Sequence, residues 1–512
     1  MHIPIVDLFA GPGGLGEGFS SLKNGKAFKI HVSAEKDKFA HSTLKLRAFY
    51  RLLKNAGDEE LRSYYRFCNG DQDVPYNDRN LSAWHIAQEE VLNVTLGTDQ
   101  GNSELYSKID SSKLSKENPW VLIGGPPCQA YSVVGRARNK GIPDYNPSDD
   151  HRHFLYLEYL KTIQKYQPSV FVMENVRGIL TSKVDGVSIF GKILEDLANP
   201  SMALGKSKKG LRYKIYSLSS PTFYVSGQSV FDLDWRDFII KSESHGIPQA
   251  RHRVILLGVR EDISRKPESL KNANPISLLE VINDLPRIRS YISRGEDSDL
   301  LWAQTLRANA TSLSSDLNAT GNDLQLASYL SKLASKFDGT LKRGMPRLKK
   351  TSSTTQKIKL SDWYYDKNLK VVLNHESRGH MISDLMRYVF ASSFAAVNGI
   401  SPKGHRDFSL KELWPNHENW ESGDFVDRFR VQLSKAPATT ITSHISKDGH
   451  YFIHPDPSQC RSLTVREAAR IQTFPDNYFF QGDRTTQYSQ VGNAVPPLLA
   501  KQIAEVVLKI LS

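Results

Sequence analysis

One cysteine of this 512-residue chain stands where a side chain could do covalent work. Cys128 lies in the run Gly124-Gly125-Pro126-Pro127-Cys128-Gln129, directly after the apolar stretch Trp120–Ile123. In an open α/β sheet a ligand binds beyond the carboxyl ends of the strands, so a thiol on the turn leaving a strand faces substrate. Two prolines fix the backbone of that turn and with it the position of the sulfur. The thiolate is the reactive form, and a thiol with a pKa of about 8.5 needs positive charge nearby to populate it. A second suggestive run is Gly11-Pro12-Gly13-Gly14-Leu15-Gly16, a G-x-G-x-x-G pattern behind the apolar stretch Ile3–Phe9. Glycines there let the backbone approach a nucleotide-type ligand, and Glu35, roughly 20 residues further on, suits a ribose diol.

Such residues need strands to carry them and helices to cover the strands. Ile3–Phe9, Val32–Glu35, Trp120–Gly124, Val170–Met173 and Val254–Val259 are short β-rich apolar runs. Between them Phe154, Leu157, Leu160 and Ile163 recur at helical spacing, as do Leu499, Ile503, Val506 and Ile510 near the C-terminus. That alternation predicts an α/β fold with crossover helices. The stretch from Lys38 to Leu114 is polar and helix-like and reads largely as an insertion. From Asn283 to His450 the periodicity blurs, and basic clusters such as Lys342–Arg343 and Arg347–Lys350 appear. Pattern returns at Arg461. There Thr464 and Glu467 form a T-x-x-E capping box and Pro475 stops the helix that follows, which is a structural role.

Composition narrows the partners. Sixty-seven basic residues against 55 acidic ones leave a net charge of +12, and the pI is near 9.3, a balance that favours a polyanion. Three cysteines, Cys68, Cys128 and Cys460, make no disulfide framework and no CxxC pair. His375, His380 and His405 lack nearby cysteine and tight ligand spacing, so no metal is expected. No apolar run is long enough for a bilayer, and no basic segment precedes an apolar one at the N-terminus. The expected setting is a reducing cytosol, with no membrane partner.

The glycine loop alone admits two cofactors, a nicotinamide dinucleotide and S-adenosylmethionine. The remaining motifs separate them. Asp7-Leu8-Phe9-Ala10-Gly11 precedes Gly125-Pro126-Pro127-Cys128-Gln129, and Glu174-Asn175-Val176 follows the apolar run Val170–Met173. Gln249-Ala250-Arg251-His252-Arg253 precedes Val254–Val259, then come the segment Arg461–Arg470 and Gln490-Val491-Gly492-Asn493-Ala494-Val495-Pro496-Pro497. In kind and in order these resemble the signature motifs of the DNA cytosine-5 methyltransferases of bacterial restriction–modification systems. The likeness spans nearly the whole chain, with 283–450 covered by position only. An oxidoreductase would leave Cys128, Glu174 and the two arginines without a task.

The resemblance implies a Rossmann-like S-adenosylmethionine-dependent methyltransferase fold, a mixed sheet with helices on both faces, plus a smaller target-recognition domain. The expected division is a catalytic and cofactor-binding domain over 1–282, a recognition domain over 283–488, and a segment 489–512 that rejoins the first. It further implies that Cys128 adds to carbon 6 of a cytosine flipped from duplex DNA, assisted by Glu174, Arg251 and Arg253. Gln129, Ser132 and Asn175 would lie on the substrate side. S-adenosylmethionine would meet Asp7, Phe9, Ala10, Gly11, Gly13, Gly14, Leu15, Glu35 and Pro127, closed over by Asn493, Ala494 and Val495. The family also carries an Asp near the adenine after its third strand, for which Asp71 is the candidate. Double-stranded DNA and a cognate restriction endonuclease are the implied partners, and the nucleoid the implied place of work in the cytoplasm. A tRNA cytosine-5 methyltransferase shares the core motifs and is the alternative; its usually short variable region contrasts with the long interval here.

Overall fold

The computed structural model describes residues 2–112, 114, 116–127, 155–184, 186–206, 210–351, 358–416, 420 and 428–512. The chain forms two compact units, one of Met1–Tyr64, Val74–Asn274 and Ala494–Ser512, the other of Tyr65–Asp73 and Pro275–Asn493.

The first unit is built on a sheet of β1 (Ile3–Leu8), β2 (Phe28–Glu35), β3 (Val91–Asn93), β4 (Val121–Gly124), β5 (Val170–Val176), β6 (Tyr213–Tyr216), β7 (Phe223–Tyr224), β8 (Ile239–Lys241) and β9 (His252–Arg260). Their order is β3-β2-β1-β4-β5-β9-β6-β7, with β8 also on β9. Strands β1 to β5 run parallel, whereas β9 is antiparallel to β5, β6 and β8. The sheet is therefore mixed, as the family likeness implies. From β1 the chain order steps outward to β2 and β3 on one side and to β4 and β5 on the other. That reversal opens a crevice beyond the strand ends, the usual ligand position in such sheets.

Both faces are covered, so the strands are apolar on both sides. Val6 and Leu8 of β1 enter a core shared with α5 (Leu155–Tyr166) and α6 (Ile189–Ala198), which follow α1 (Gly14–Ser21), α2 (Lys38–Ala56), α3 (Leu81–Glu90) and α4 (Asp99–Ser111) along the chain. Ile5 enters the opposite core with Leu15 and Phe19 of α1 and with Leu499, Ile503, Val507 and Ile510 of the C-terminal helix Pro497–Leu511. Helix α2 begins on Asp37, whose carboxylate accepts the amides of Phe39 and Ala40. It is fastened to α1 by a buried ion pair, in which Arg47 Nε lies 2.8 Å from Glu17 Oε2. The expectation that residues 38–114 are largely an insertion is corrected here. That stretch supplies α2, α4 and β3, which pairs with β2 through Ser33–Val91, Ala34–Leu92 and Glu35–Asn93. Three residues are too few to show a strand period.

The second unit has its own core, made by α7 (Asp299–Thr320), α8 (Leu324–Ala334) and α9 (Ile382–Asn398) with Phe408, Leu413 and Trp420. Strand β10 (Met345–Lys349) pairs antiparallel with β11 (Val371–His375). The short helix α10 (Val465–Ile471) carries the expected capping box between Thr464 and Glu467. Around it three buried arginines are tied down: Arg461 to Glu467, Arg470 to Asp284 and Asp476, and Arg466 to the carbonyls of Leu373, Pro475 and Tyr478. Among the described residues no helix is long and apolar enough to cross a membrane.

Helix α1 packs tightly on the C-terminal helix at Gly18, where an added Cβ would come 2.4 Å from both the Ala500 Cβ and the Pro497 carbonyl oxygen. Gly18→Ala therefore drives α1 away from the C-terminal helix. The expected cost is about 1–3 kcal/mol of overpacking, read as a lower midpoint in urea unfolding; an unchanged midpoint would contradict this packing.

Candidate active site

The chain leaves β1 through a loop that only unusual backbone can make. Phe9, Gly11 and Gly13 have φ of 56°, 56° and 94°. Glycine adopts that region freely, but a phenylalanine there is strained by roughly 1–2 kcal/mol. Gly14 has no room for a side chain, since a Cβ would fall 2.1 Å from the Val495 carbonyl oxygen. The backbone of Val495 thus lies directly on the loop, and Ala494 enters the same unit with it. Asn493 is the last residue of the other unit.

The ends of the neighbouring strands are laced to this loop. The Ala10 amide donates to the Ala34 carbonyl at 3.2 Å. The Gly11 amide donates to Glu35 Oε2 at 2.8 Å, and the Asp37 amide to Glu35 Oε1 at 2.8 Å. Burial raises the Glu35 pKa above the usual carboxylate value, with these amide bonds pulling the other way. The Leu15 side chain is buried in the core below, leaving its backbone to the loop. Asp7, near the end of β1, is fully buried, and neither carboxylate oxygen has a hydrogen-bond partner. Its pKa is pushed up to about 8, chiefly by burial, with Arg51 opposing and Glu35 and Glu90 adding.

One strand over, β4 ends on Gly124, whose would-be Cβ lies 2.4 Å from the Leu8 carbonyl oxygen. The turn that follows is held against the end of β5. A Cβ at Gly125 would lie 3.0 Å from Glu174 Oε2, and Asn175 Nδ2 donates to the Pro126 carbonyl at 3.4 Å. Pro127 is the last described residue of the turn; Cys128, Gln129 and Ser132 lie outside the described residues.

Glu174 stands opposite Ile255 of β9, and Arg253 opposite Val176. Arg253 Nε is 2.9 Å from Glu174 Oε1, an ionic contact without the alignment of a hydrogen bond. Its Nη1 donates to the His252 carbonyl at 2.9 Å. Arg251, just ahead of the strand, is fully buried, and its carbonyl accepts Ser242 Oγ at 2.7 Å. Burial pushes both guanidinium pKa values down; Glu174 opposes this in each, and Arg253 adds to it at Arg251. The β5 end thus joins one carboxylate to two desolvated guanidiniums, a combination suited to a polar ring that acquires charge.

Comparison with known proteins identifies the family. The family model of the C-5 cytosine-specific DNA methylases matches residues 98–200 and 231–509. The type II methyltransferase M.Bpa9945I of Bacillus paralicheniformis is 32% identical over 99% of each chain. The chain belongs to the C-5 cytosine-specific DNA methylase family. It is a DNA cytosine-5 methyltransferase of the restriction–modification type. A DNA (cytosine-5-)-methyltransferase of Aeropyrum pernix, M.ApeKI, is 26% identical over 79% of this chain and 84% of its own. Among solved structures, a prophage-encoded protein of E. coli described as a DNA modification methyltransferase shares the fold, with a TM-score of 0.53 and 18% identity over 99% of both chains.

In this methyltransferase the third strand of the sheet is β3, ending on Asn93, whereas Asp71 belongs to the other unit. Asp71 therefore does not follow the third strand, which corrects its candidacy. Asn93 was not found by sequence reasoning. Its Nδ2 donates to the carbonyls of Glu35 at 3.0 Å and Lys36 at 3.1 Å, so it ties the end of β3 to the end of β2. A lone Asn after a three-residue strand carries no sequence signal. Among the described residues no group of three or more His, Cys, Asp or Glu is arranged to hold a metal ion.

The pairing at the β5 end is open to a stability measurement. Glu174→Ala leaves Arg253, largely withdrawn from solvent, without its carboxylate. Loss of one partner of a buried pair costs about 3–5 kcal/mol, so guanidinium chloride unfolding should show a large loss of stability, with Glu174→Gln retaining part of it. Equal stability of wild type and Glu174→Ala would mean that the contact carries no energy.

Proposed function

We propose that this methyltransferase transfers a methyl group from S-adenosylmethionine to carbon 5 of a cytosine flipped out of a specific duplex sequence, through a covalent adduct between Cys128 and carbon 6. The observation that carries the reading is the contact of the Gly125-Pro126 turn with Glu174 and Asn175. It brings the residues leading into Cys128 against a carboxylate that is itself in contact with Arg253.

Carbon 5 of cytosine is a weak nucleophile. When the Cys128 thiolate forms a bond to carbon 6, the electrons of the 5,6 double bond move into the ring and make carbon 5 enamine-like. Glu174 holds or shares a proton at ring nitrogen 3, where negative charge would otherwise collect. Arg251 and Arg253 orient Glu174 and the base carbonyl, and their positive charge favours the thiolate. Once carbon 5 is methylated, its proton leaves to a base and the carbon–sulfur bond breaks, restoring the ring and the thiolate. Gln129, Ser132 and Asn175 contact the flipped nucleotide or its backbone, and flipping itself is required because carbon 5 and carbon 6 are stacked away inside a duplex.

The residues at the β1 side fit S-adenosylmethionine, which supplies an electrophilic methyl group on sulfur when bound. The left-handed loop from Phe9 through Gly13, with Ala10, Gly11 and Gly14, lets backbone approach a nucleoside. Glu35, whose Oε2 accepts the Gly11 amide, would take ribose hydroxyls in exchange for it. Leu15 supports the loop from below, Val495 lies on it at Gly14, and Pro127, Asn493 and Ala494 are the remaining cofactor candidates. The unit containing 275–493 reads the DNA sequence from the groove, its basic residues serving phosphates. The enzyme works on cytoplasmic, nucleoid DNA and protects it from a cognate endonuclease.

The test is covalent trapping on a duplex library carrying 5-fluorocytosine, where fluorine blocks the final elimination. A stable adduct on a defined subset of sequences, absent in Cys128→Ala, is expected. Trapping on tRNA rather than duplex would move the substrate to RNA, and methyl transfer retained by Cys128→Ala would sink the covalent route.

A further inference from the structure

Asp7 has no partner to explain its burial. It is wholly buried, and neither of its oxygens is hydrogen-bonded. Its register partner on β2 is Ser33 and on β4 is Ile123. Neighbours in register on parallel strands share a face, so Ser33 lies beside Asp7, and the Ser33 hydroxyl is also buried without a partner. Above them sits α1, so close at Gly16 that a Cβ there would be 3.0 Å from Asp7 Oδ2. A carboxylate in such a place keeps its charge only if a cation answers it; otherwise it takes up a proton.

The charged groups around it are committed elsewhere. Arg51 on α2 is paired with Glu90 at the end of α3, and Glu17 on α1 is paired with Arg47. Glu35 at the end of β2 adds negative charge, and Tyr159 of α5 uses its hydroxyl on the carbonyls of Leu122 and Val172. The C-terminal helix presents aliphatic side chains to this core. Burial accordingly holds the carboxyl up to about 8, within reach of physiological pH.

We propose that Asp7 is a charge-sensing specificity residue beneath the cofactor loop, protonated when the loop is empty and ionised when a cationic cofactor occupies it. This rests on the S-adenosylmethionine reading. That cofactor carries a sulfonium, an ammonium and a carboxylate, a net charge of one positive unit. After methyl transfer the sulfonium is a neutral thioether and the net charge is zero. Asp7 lies two residues before Phe9 and four before Gly11 on the same strand and loop, where the charge of the bound molecule acts through a desolvated interior. On uptake of the methyl donor the Asp7 O–H bond breaks, the electron pair stays on the carboxylate, and the proton leaves to solvent. Uptake of the spent cofactor expels less.

The sign of the pH dependence follows. Below about pH 8 the empty protein must lose a proton to gain the favourable charge pairing. Affinity for the methyl donor therefore rises as pH rises toward 8 and then levels, by at most about tenfold per pH unit for one full proton. Affinity for the spent cofactor rises less, so discrimination in favour of the donor grows over the same interval.

Titration calorimetry of the full chain near neutral pH, in buffers of low and high ionisation enthalpy, reads the proton directly. Wild type should release a measurable fraction of a proton with S-adenosylmethionine and less with S-adenosylhomocysteine. In Asp7→Asn, a neutral isostere, the difference between the ligands should vanish, along with the pH dependence of their affinity ratio. Equal proton release for both ligands in wild type overturns the proposal without needing any variant to fold, and so does release that survives in a folded Asp7→Asn. If S-adenosylmethionine does not bind at all, the cofactor reading falls and this inference with it; binding without proton release removes only the inference.

Discussion

Everything at the candidate site depends on the side-by-side pairing of β1 and β4. Asp7 pairs with Ile123 and Leu8 with Gly124, and the backbones meet so closely that Gly124 cannot carry a Cβ. Because the strands are parallel and end level, the glycine loop and the proline turn leave the sheet from adjacent points. One loop suits a cofactor and the other leads to the nucleophile, and transfer between two ligands requires such adjacency. The reversal of strand order at this pair keeps the crevice above it free of a crossover helix.

Around that pair the first unit concentrates charge in places where water is excluded. Glu174 with Arg253 and Arg251 lies at the end of β5; Glu35 takes two backbone amides at the end of β2; Asp7 has neither kind of partner. Three carboxylates on one sheet therefore meet three environments, and their chemistry separates by surroundings rather than by residue type. The Glu17–Arg47 pair between α1 and α2 belongs to none of these. It braces the helix that starts at the glycine loop, which helps the strained Phe9 conformation persist.

In the second unit buried charge has a different purpose. Arg461, Arg466 and Arg470 flank or lie within α10, and each is answered by a carboxylate or by carbonyls. They hold irregular backbone that has few sheet ladders to satisfy it, since among the described residues the strands of this unit pair only in short two-stranded sheets. This is why the segment Arg461–Arg470 reads so strongly in sequence while touching no chemistry of its own.

The strands β1, β2, β4, β5 and β9, the glycine loop, the capped helix α10 and the motifs around Glu174 and Arg253 were legible from the chain, because each depends on local residue types at fixed spacing. The ends of β5 and β9 extended beyond the apolar runs that announced them, since pairing with a neighbour can carry a strand through polar residues such as Glu174 and His252. β3 was not legible: Val91–Asn93 is too short for a period, and only its pairing with β2 makes it a strand. With it went Asn93, and the false candidacy of Asp71. The sequence by itself determined the family, the sheet and the identity of the residues offered for chemistry, because motifs survive as linear patterns. Tertiary structure alone decided which of them meet, that Glu174 pairs with Arg253 and that Asp7 is buried without a partner. Contacts between residues distant in the chain, and the dielectric each one experiences, exist only after the strands have been laid side by side.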